Sequence, residues 1–285
     1  MILVTGATGK VGSELIQSLQ EGKAKFRALV HKPEDVARLG KLGVDAVAGD
    51  LGKRETLAPA FRGVDHLFLL SPPSPQSAVF AENLLQEAKL AGVEHVVRLS
   101  ALGASPESAC RFLGDHARIE QRIEQLGFGF THLRPAMFFQ NFLWFDAPAI
   151  KSQGAIYAPA GDARTGFIDT RDIAAVAAKV LTEPGHLGRT YELTGPEALS
   201  WADVAARFSA VLEKKVQYVA VPDGAAYQSM LGMGLPPEMA YNMVALFQTI
   251  RKAGPFVSGC GELVTGKPAR TFDAFLRENR KAFLA

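Results

Sequence analysis

The first residues whose types and spacing carry chemistry stand close to the start of the chain. The run Thr5-Gly6-Ala7-Thr8-Gly9-Lys10-Val11-Gly12 places three glycines at intervals of three, directly after the apolar stretch Ile2-Leu3-Val4. A glycine-rich turn between a strand and a helix is a place to bind phosphate. Gly6 permits the tight turn, and Gly9 lets the backbone approach phosphate oxygens with no Cβ in the way. Gly12 permits close helix-to-strand packing, and the first amides of the helix supply donors and a positive dipole end. Gly6, Ala7, Thr8, Gly9, Lys10, Val11 and Gly12 are therefore candidate contacts to the pyrophosphate of a dinucleotide. The spacing is Gly-x-x-Gly-x-x-Gly, not the more familiar Gly-x-Gly-x-x-Gly. The plain alternative is a glycine turn with no ligand.

Further candidates follow other short apolar runs. Ala28-Leu29-Val30 is followed by His31 and Lys32, with no carboxylate before Glu34. A ribose 2′-hydroxyl is usually read by an acidic side chain at this position, whereas a 2′-phosphate needs cations. His31 and Lys32 thus point to NADPH, with NADH possible. Asp50 and Leu51 follow Asp45–Ala48 and suit an adenine edge and ring, or a simple turn. Ser71, Pro72 and Pro73, and then Ser100, Ala101 and Leu102, occupy the same relative place after later runs, although proline also merely ends strands. Gly266-Lys267-Pro268 imitates a nucleoside-triphosphate loop, but a proline stands where a Mg²⁺-binding hydroxyl is needed. No metal site is expected, since Cys110 and His116 have no partner cluster.

These residues need elements to position them. Short apolar runs at Ile2–Thr5, Lys25–Val30, Asp45–Ala48, His66–Leu70, His95–Leu99 and Phe130–Leu133 read as strands. Amphipathic stretches such as Val11–Gln20 and Ala78–Ala91 lie between them. This alternation implies right-handed crossovers and a parallel sheet covered on both faces. Later helices are expected at Asp169–Leu181, Trp201–Leu212, Pro237–Lys252 and Thr271–Phe283, and strands at Thr190–Leu193 and Val216–Val219. The expected fold class is α/β: a Rossmann-type doubly wound parallel sheet over residues 1–150, with segments near 165–195 returning to it. A smaller mixed α/β C-terminal lobe over 151–285 would bind substrate.

The 285 residues carry 31 basic and 29 acidic side chains, 48% hydrophobic residues and two cysteines. That balance excludes a disordered chain and argues against polyanion binding, hence against nucleic acid as a direct partner. No apolar run reaches the roughly 18 residues needed to span a bilayer. With no disulfide framework and no leader pattern, a cytoplasmic protein, monomer or homodimer, is expected.

Several segments together resemble the NmrA-like branch of the atypical short-chain dehydrogenases/reductases. They are GATGKVG at 6–12, GDL at 49–51, AGVEHVVRLSALGA at 91–104, THLRPAMFFQNF at 131–142, FIDTRDIAAVAAKVL at 167–181 and YELTGPEALS at 191–200. Within that branch the chain is most similar to the bacterial quinone-reductase and triphenylmethane-dye-reductase type. The resemblance implies an NAD(P)H-dependent oxidoreductase that passes hydride to a quinone, azo or similar conjugated aromatic acceptor. The alternative it leaves is a redox sensor that binds the dinucleotide without turnover.

The wider superfamily carries Tyr-x-x-x-Lys on the helix after the fifth strand, and this chain has His116 and Glu120 there, the His-x-x-x-Glu form seen in this branch. Positions four apart share a helix face, so Glu120 would favour protonation of His116, making it an acid or oxyanion partner. A helix pair with no catalytic part is the alternative. By resemblance, Pro135 and Phe138 flank the nicotinamide and Asn141 lies near the substrate. Phe138, Phe142 or Trp144 would give an aromatic wall. Thr170 is a candidate N-cap between Asp169 and Asp172.

Overall fold

The computed structural model describes residues 1–72 and 74–284. The elements run β1 (Ile2–Val4), α1 (Lys10–Glu21), β2 (Phe26–Val30), α2 (Pro33–Gly40), β3 (Asp45–Ala48), β4 (His66–Leu69), α3 (Ser77–Leu90), β5 (His95–Leu99), α4 (Arg111–Gln125) and β6 (Gly129–Pro135). They continue with α5 (Ala147–Gln153), β7 (Ala155–Ala158), β8 (Arg164–Thr165), α6 (Thr170–Thr182), β9 (Arg189–Leu193), β10 (Leu199–Ser200), α7 (Trp201–Leu212), β11 (Gln217–Ala220), α8 (Asp223–Gly232), α9 (Pro237–Ala253), α10 (Cys260–Thr265) and α11 (Phe272–Glu278).

Seven strands form one sheet in the order β3-β2-β1-β4-β5-β6-β9. Every pairing in it is parallel. The order reverses between β1 and β4, and the carboxyl ends of the strands flank that switch point, where open α/β sheets take their ligands. Alternate residues along each strand feed two separate cores. Ile2, Val4, Phe68, Val97 and Leu133 face α1 and α6, whose buried stripe includes Val11, Leu15, Ile16, Leu19, Ile173 and Val176. Leu3, Leu67, Leu69 and Val96 face α3 and α4, meeting Ala81, Leu84, Leu85, Ile119 and Ile123. Strands covered on both faces are largely apolar, and β5 carries two buried exceptions, His95 and Arg98.

Beyond β6 the chain builds a second packed unit. β7 pairs with β11 in parallel, and β8 with β10 antiparallel. Its core is aromatic: Phe139, Phe142, Phe167, Phe208, Phe272 and Phe275 are buried, with neighbouring ring centroids 5.1–6.0 Å apart. Edge and tilted packing of this kind adds about 0.5–1.5 kcal/mol per pair to the burial itself. The second half nevertheless returns to the first: β9 extends the main sheet, and α6 and α10 cover it.

Candidate active site

The glycine turn is shaped by contacts that no side chain could share. Gly6 has φ +64°, and a Cβ there would lie 2.8 Å from Leu70 Cγ. At Gly12 a Cβ would lie 2.0 Å from the carbonyl oxygen of Gly6, so this glycine lets the helix close on the turn's own backbone, not on a strand as expected from sequence. Gly9 donates its amide to Gly6 O at 2.9 Å and caps α1 with no side chain in the way. The first amides of α1 have no carbonyl one turn earlier in the helix and remain available. Thr8, Gly9 and Lys10 are exposed, whereas Ala7 and Val11 are 2% exposed and join the core. Ala7 and Val11 can therefore serve a ligand only through their backbone.

The remaining dinucleotide candidates lie along the same edge. His31 and Lys32 are exposed immediately after β2, and Lys32 is the residue preceding α2. Asp50 follows β3; its Oδ1 accepts the Gly52 amide at 2.9 Å, leaving the second carboxylate oxygen uncommitted to that turn. Leu51 packs against the α3 core. Ser71 is buried and Pro72 exposed after β4; Pro73 lies outside the described residues. After β5, the Ser100 hydroxyl is buried without a hydrogen-bond partner. Leu102 donates its amide to Pro135 O at 2.9 Å, and Ala101 packs towards Cys110 and Leu113. Pro135, at the end of β6, is buried, and Phe138 is half-buried against the α1/α6 core. The cradle that three missing Cβ atoms create, the free helix amides and the orphaned Ser100 hydroxyl all fit a bound dinucleotide.

The helix pair differs from the sequence expectation. Glu120 is buried and accepts two hydrogen bonds from Arg134, at 2.9 and 2.5 Å, in a bidentate ion pair. It is therefore committed to a strand neighbour and does not charge His116. His116 instead meets the guanidinium of Arg98, whose Nη2 lies 3.3 Å from His116 Nδ1. Burial, then the Arg98 charge, holds His116 well below its ordinary value, so the imidazole is neutral at pH 7. The expectation of a protonated His116 is corrected: a cation, not the carboxylate, is its partner. Sequence reading missed Arg98, whose one available signal is an arginine standing in the buried strand β5.

The segment after β6 is held from both sides. Phe139 donates its amide to Ile168 O at 2.8 Å, and Ile168 donates to Met137 O at 2.9 Å. Gln140 bridges the start of α6, donating from Nε2 to Asp169 and accepting the Thr170 amide. Asp169, not Thr170, is the N-cap of α6; it accepts the Arg171 amide and pairs with the Arg171 guanidinium. Arg171 also reaches Glu278, and Asp172 pairs with Arg270, stitching α6 to the last segment. Asn141 is half-buried, and its side-chain amide makes no hydrogen bond among the described residues. Residues Phe142–Asp146 form one wide π-helical turn. Phe142 is 2% exposed within the aromatic core, so it cannot wall a substrate cleft. Trp144 is 37% exposed, with Lys10 Nζ 2.8 Å from its ring centroid, so this turn reaches over the glycine loop. Partial burial lowers Lys10 to about 8, and burial pushes Asp146 up to about 7. Gly266, with φ +69°, ends α10, so Gly266-Lys267-Pro268 closes a helix where a phosphate loop would open one.

Comparison with known proteins agrees with this geometry. The NmrA-like family model matches residues 1–276. An NAD(P)H azoreductase from Xenophilus azovorans is 41% identical over 290 aligned positions, covering 99% of both chains. The crystal structure of an NADPH-dependent quinone oxidoreductase from Escherichia coli, complexed with NADPH, superposes with a TM-score of 0.90 at 29% identity, covering 98% of this chain and 99% of that one. A triphenylmethane reductase from Citrobacter sp., complexed with NADP(H), gives 0.86 at 28% identity, with 96% and 98% covered.

Proposed function

This chain belongs to the NmrA-like family, and from that premise we propose that it is an NADPH-dependent reductase of quinones, azo compounds or similar conjugated aromatic acceptors. It works in the cytoplasm. The observation that carries this reading is the set of groups gathered at one end of one sheet: the glycine cradle, His31 and Lys32 after β2, and the neutral imidazole of His116 on α4. The bound dinucleotide supplies the hydride. The turn at 6–12 holds its pyrophosphate by backbone amides. His31 and Lys32 take the 2′-phosphate, with no acidic side chain between β2 and Glu34 to repel it. Asp50 and Leu51 serve the adenosine end, while Ser71, Ser100, Pro135 and Phe138 border the nicotinamide end.

The acceptor's needs are proximity, orientation and a hydrogen-bond donor for the oxygen or nitrogen that gains negative charge. His116 offers a neutral N–H and Asn141 an amide, while Trp144 and Phe145 present aromatic faces at the surface. With His116 neutral, the proton that completes reduction comes from solvent. Purified protein mixed with NADPH and a panel of quinones, azo dyes and triphenylmethanes tests the proposal by the loss of NADPH absorbance. Turnover on at least one class is expected. Tight NADPH binding with no turnover on any of them would instead make the chain a dinucleotide sensor.

A further inference from the structure

Arg98 is a charge that the chemistry above leaves unused. Its side chain is on the α3/α4 side of β5, the face that Val96 shares, and the residue is 2% exposed. Nη1 donates to Leu69 O at 3.1 Å, Nη2 points at His116 Nδ1, and Nε is buried with no partner. No carboxylate lies within ion-pair distance of it among the described residues. Glu120 is near enough to favour its charge but is spent on Arg134. Burial lowers Arg98 to about 10, so it remains cationic at neutral pH. A buried cation with no direct ion pair is costly, and among the described residues its one side-chain hydrogen-bond partner is the imidazole of the candidate active site.

The hydrogen-bond chemistry of that contact has only one solution. A guanidinium has donors and no acceptor, so the imidazole nitrogen facing it must present a lone pair. The proton of the neutral ring then sits on Nε2. Protonating Nδ1 would aim N–H against N–H beside a positive charge. We propose that Arg98 is a positioning residue that locks His116 as the neutral Nε2–H tautomer, so that a hydrogen-bond donor of fixed charge faces the acceptor. The assignment rests on the reading of His116 as a site residue given above.

The other charges around the imidazole do not oppose this. On its own helix, Asp115 pairs with Arg118 and Arg111, and Glu120 with Arg134 of β6. From α3, Glu82 pairs with Arg122, and from α9, Glu238 pairs with Arg111. Among the described residues, Arg98 from β5 is the one charged group that hydrogen-bonds the ring. His116 is half-buried, and its Nε2 makes no hydrogen bond among the described residues. The edge of the Phe112 ring approach, at 4.6 Å between centroids, steadies the imidazole plane.

The test is the protonation state itself. Long-range ¹H–¹⁵N spectra of the imidazole nitrogens, in full-length protein with and without NADPH, identify His116 by the signals lost in His116→Gln. The wild type should show one neutral Nε2–H tautomer over about pH 5–8. In Arg98→Met the His116 titration should move up by about one pH unit or more, with the Nδ1–H form appearing. Arg98→Lys, which keeps a cationic donor, should restore the wild-type pattern. The pH profile of kcat should be flat in the wild type and gain an acid limb in Arg98→Met. A wild-type His116 that titrates near its ordinary value, or that carries its proton on Nδ1, overturns the assignment without any variant having to fold. Unchanged turnover in His116→Ala, which leaves no donor, would remove the donor role proposed above, while the wild-type tautomer would still decide the role of Arg98.

Discussion

Replacing Gly12 by alanine is the sharpest test of how the dinucleotide is held. The new Cβ would sit 2.0 Å from Gly6 O, 2.7 Å from Gly6 C and 3.0 Å from the Ala7 Cα, all of them backbone atoms. No side chain can swing aside to make room, so relief must come from lifting the 6–9 turn away from α1. Overpacking of this kind costs about 1–3 kcal/mol. If the strain stays in the free protein, Tm falls by roughly 2–4 °C per kcal/mol, which gives a drop of about 2–12 °C. If the turn moves instead, the first amides of α1 lose their aim and NADPH affinity falls by the same energy, about 5–150-fold. The two costs share one source, so a small change in one should accompany a large change in the other. Gly22→Ala serves as a control: Gly22 has φ −76°, and its nearest Cβ contact would be 3.4 Å. Thermal unfolding and calorimetric NADPH titration on both variants measure the terms. Gly12→Ala with wild-type Tm and wild-type affinity would refute the reasoning.

Three further outcomes follow from the same geometry. Lys32→Ala should weaken NADPH binding about tenfold or more and leave NADH binding unchanged, because one charge-assisted contact to a phosphate is worth about 1.5–3 kcal/mol; equal losses for both dinucleotides in a binding titration would contradict the placement of the 2′-phosphate. Asp146 is raised to about 7 by burial, against about 3.9 in the unfolded chain, so the native state binds more protons between these values and stability falls as pH rises from about 4 to about 7. Asp146→Asn should remove that fall, which parallel Tm-against-pH curves for variant and wild type would disprove. Phe142→Ala and Trp144→Ala should separate core from cleft: the first costs about 3–5 kcal/mol of stability, whereas the second spares Tm and raises KM for aromatic acceptors, as steady-state kinetics would register.

The sheet was legible because its strands are buried on both faces, which makes them short, nearly continuous apolar runs. The six N-terminal strands and β9 all fall within a few residues of their expected places. The elements that escaped notice lack that signature. β7 is Ala155–Ala158, half of it alanine, and is identifiable only once β11 pairs with it. In α8 Ala226 is the one buried residue, so no apolar stripe announces a helix. Cys260–Thr265 lies in the glycine-rich run 254–266, which hides a helical pattern, and forms a helix because Cys260 and Val264 pack against the α1/α6 core.

The site divides along the same physical line. The glycine turn was legible because its residue types are dictated by backbone crowding at fixed sequence distance: Gly6, Gly9 and Gly12 answer to atoms within the same few residues and to Leu70. The charges were not legible, because a charge takes the best partner the fold brings near. Glu120 lies four residues after His116 on one helix, yet Arg134, fourteen residues away in sequence and on the next strand, meets it with two hydrogen bonds. A bidentate guanidinium outcompetes an imidazole for a buried carboxylate, since it is always charged and fits both oxygens. That leaves His116 to Arg98, reversing the sign of its environment without changing a residue. Helical spacing fixes which side chains share a face. Only tertiary packing decides which of them still has a charge to offer.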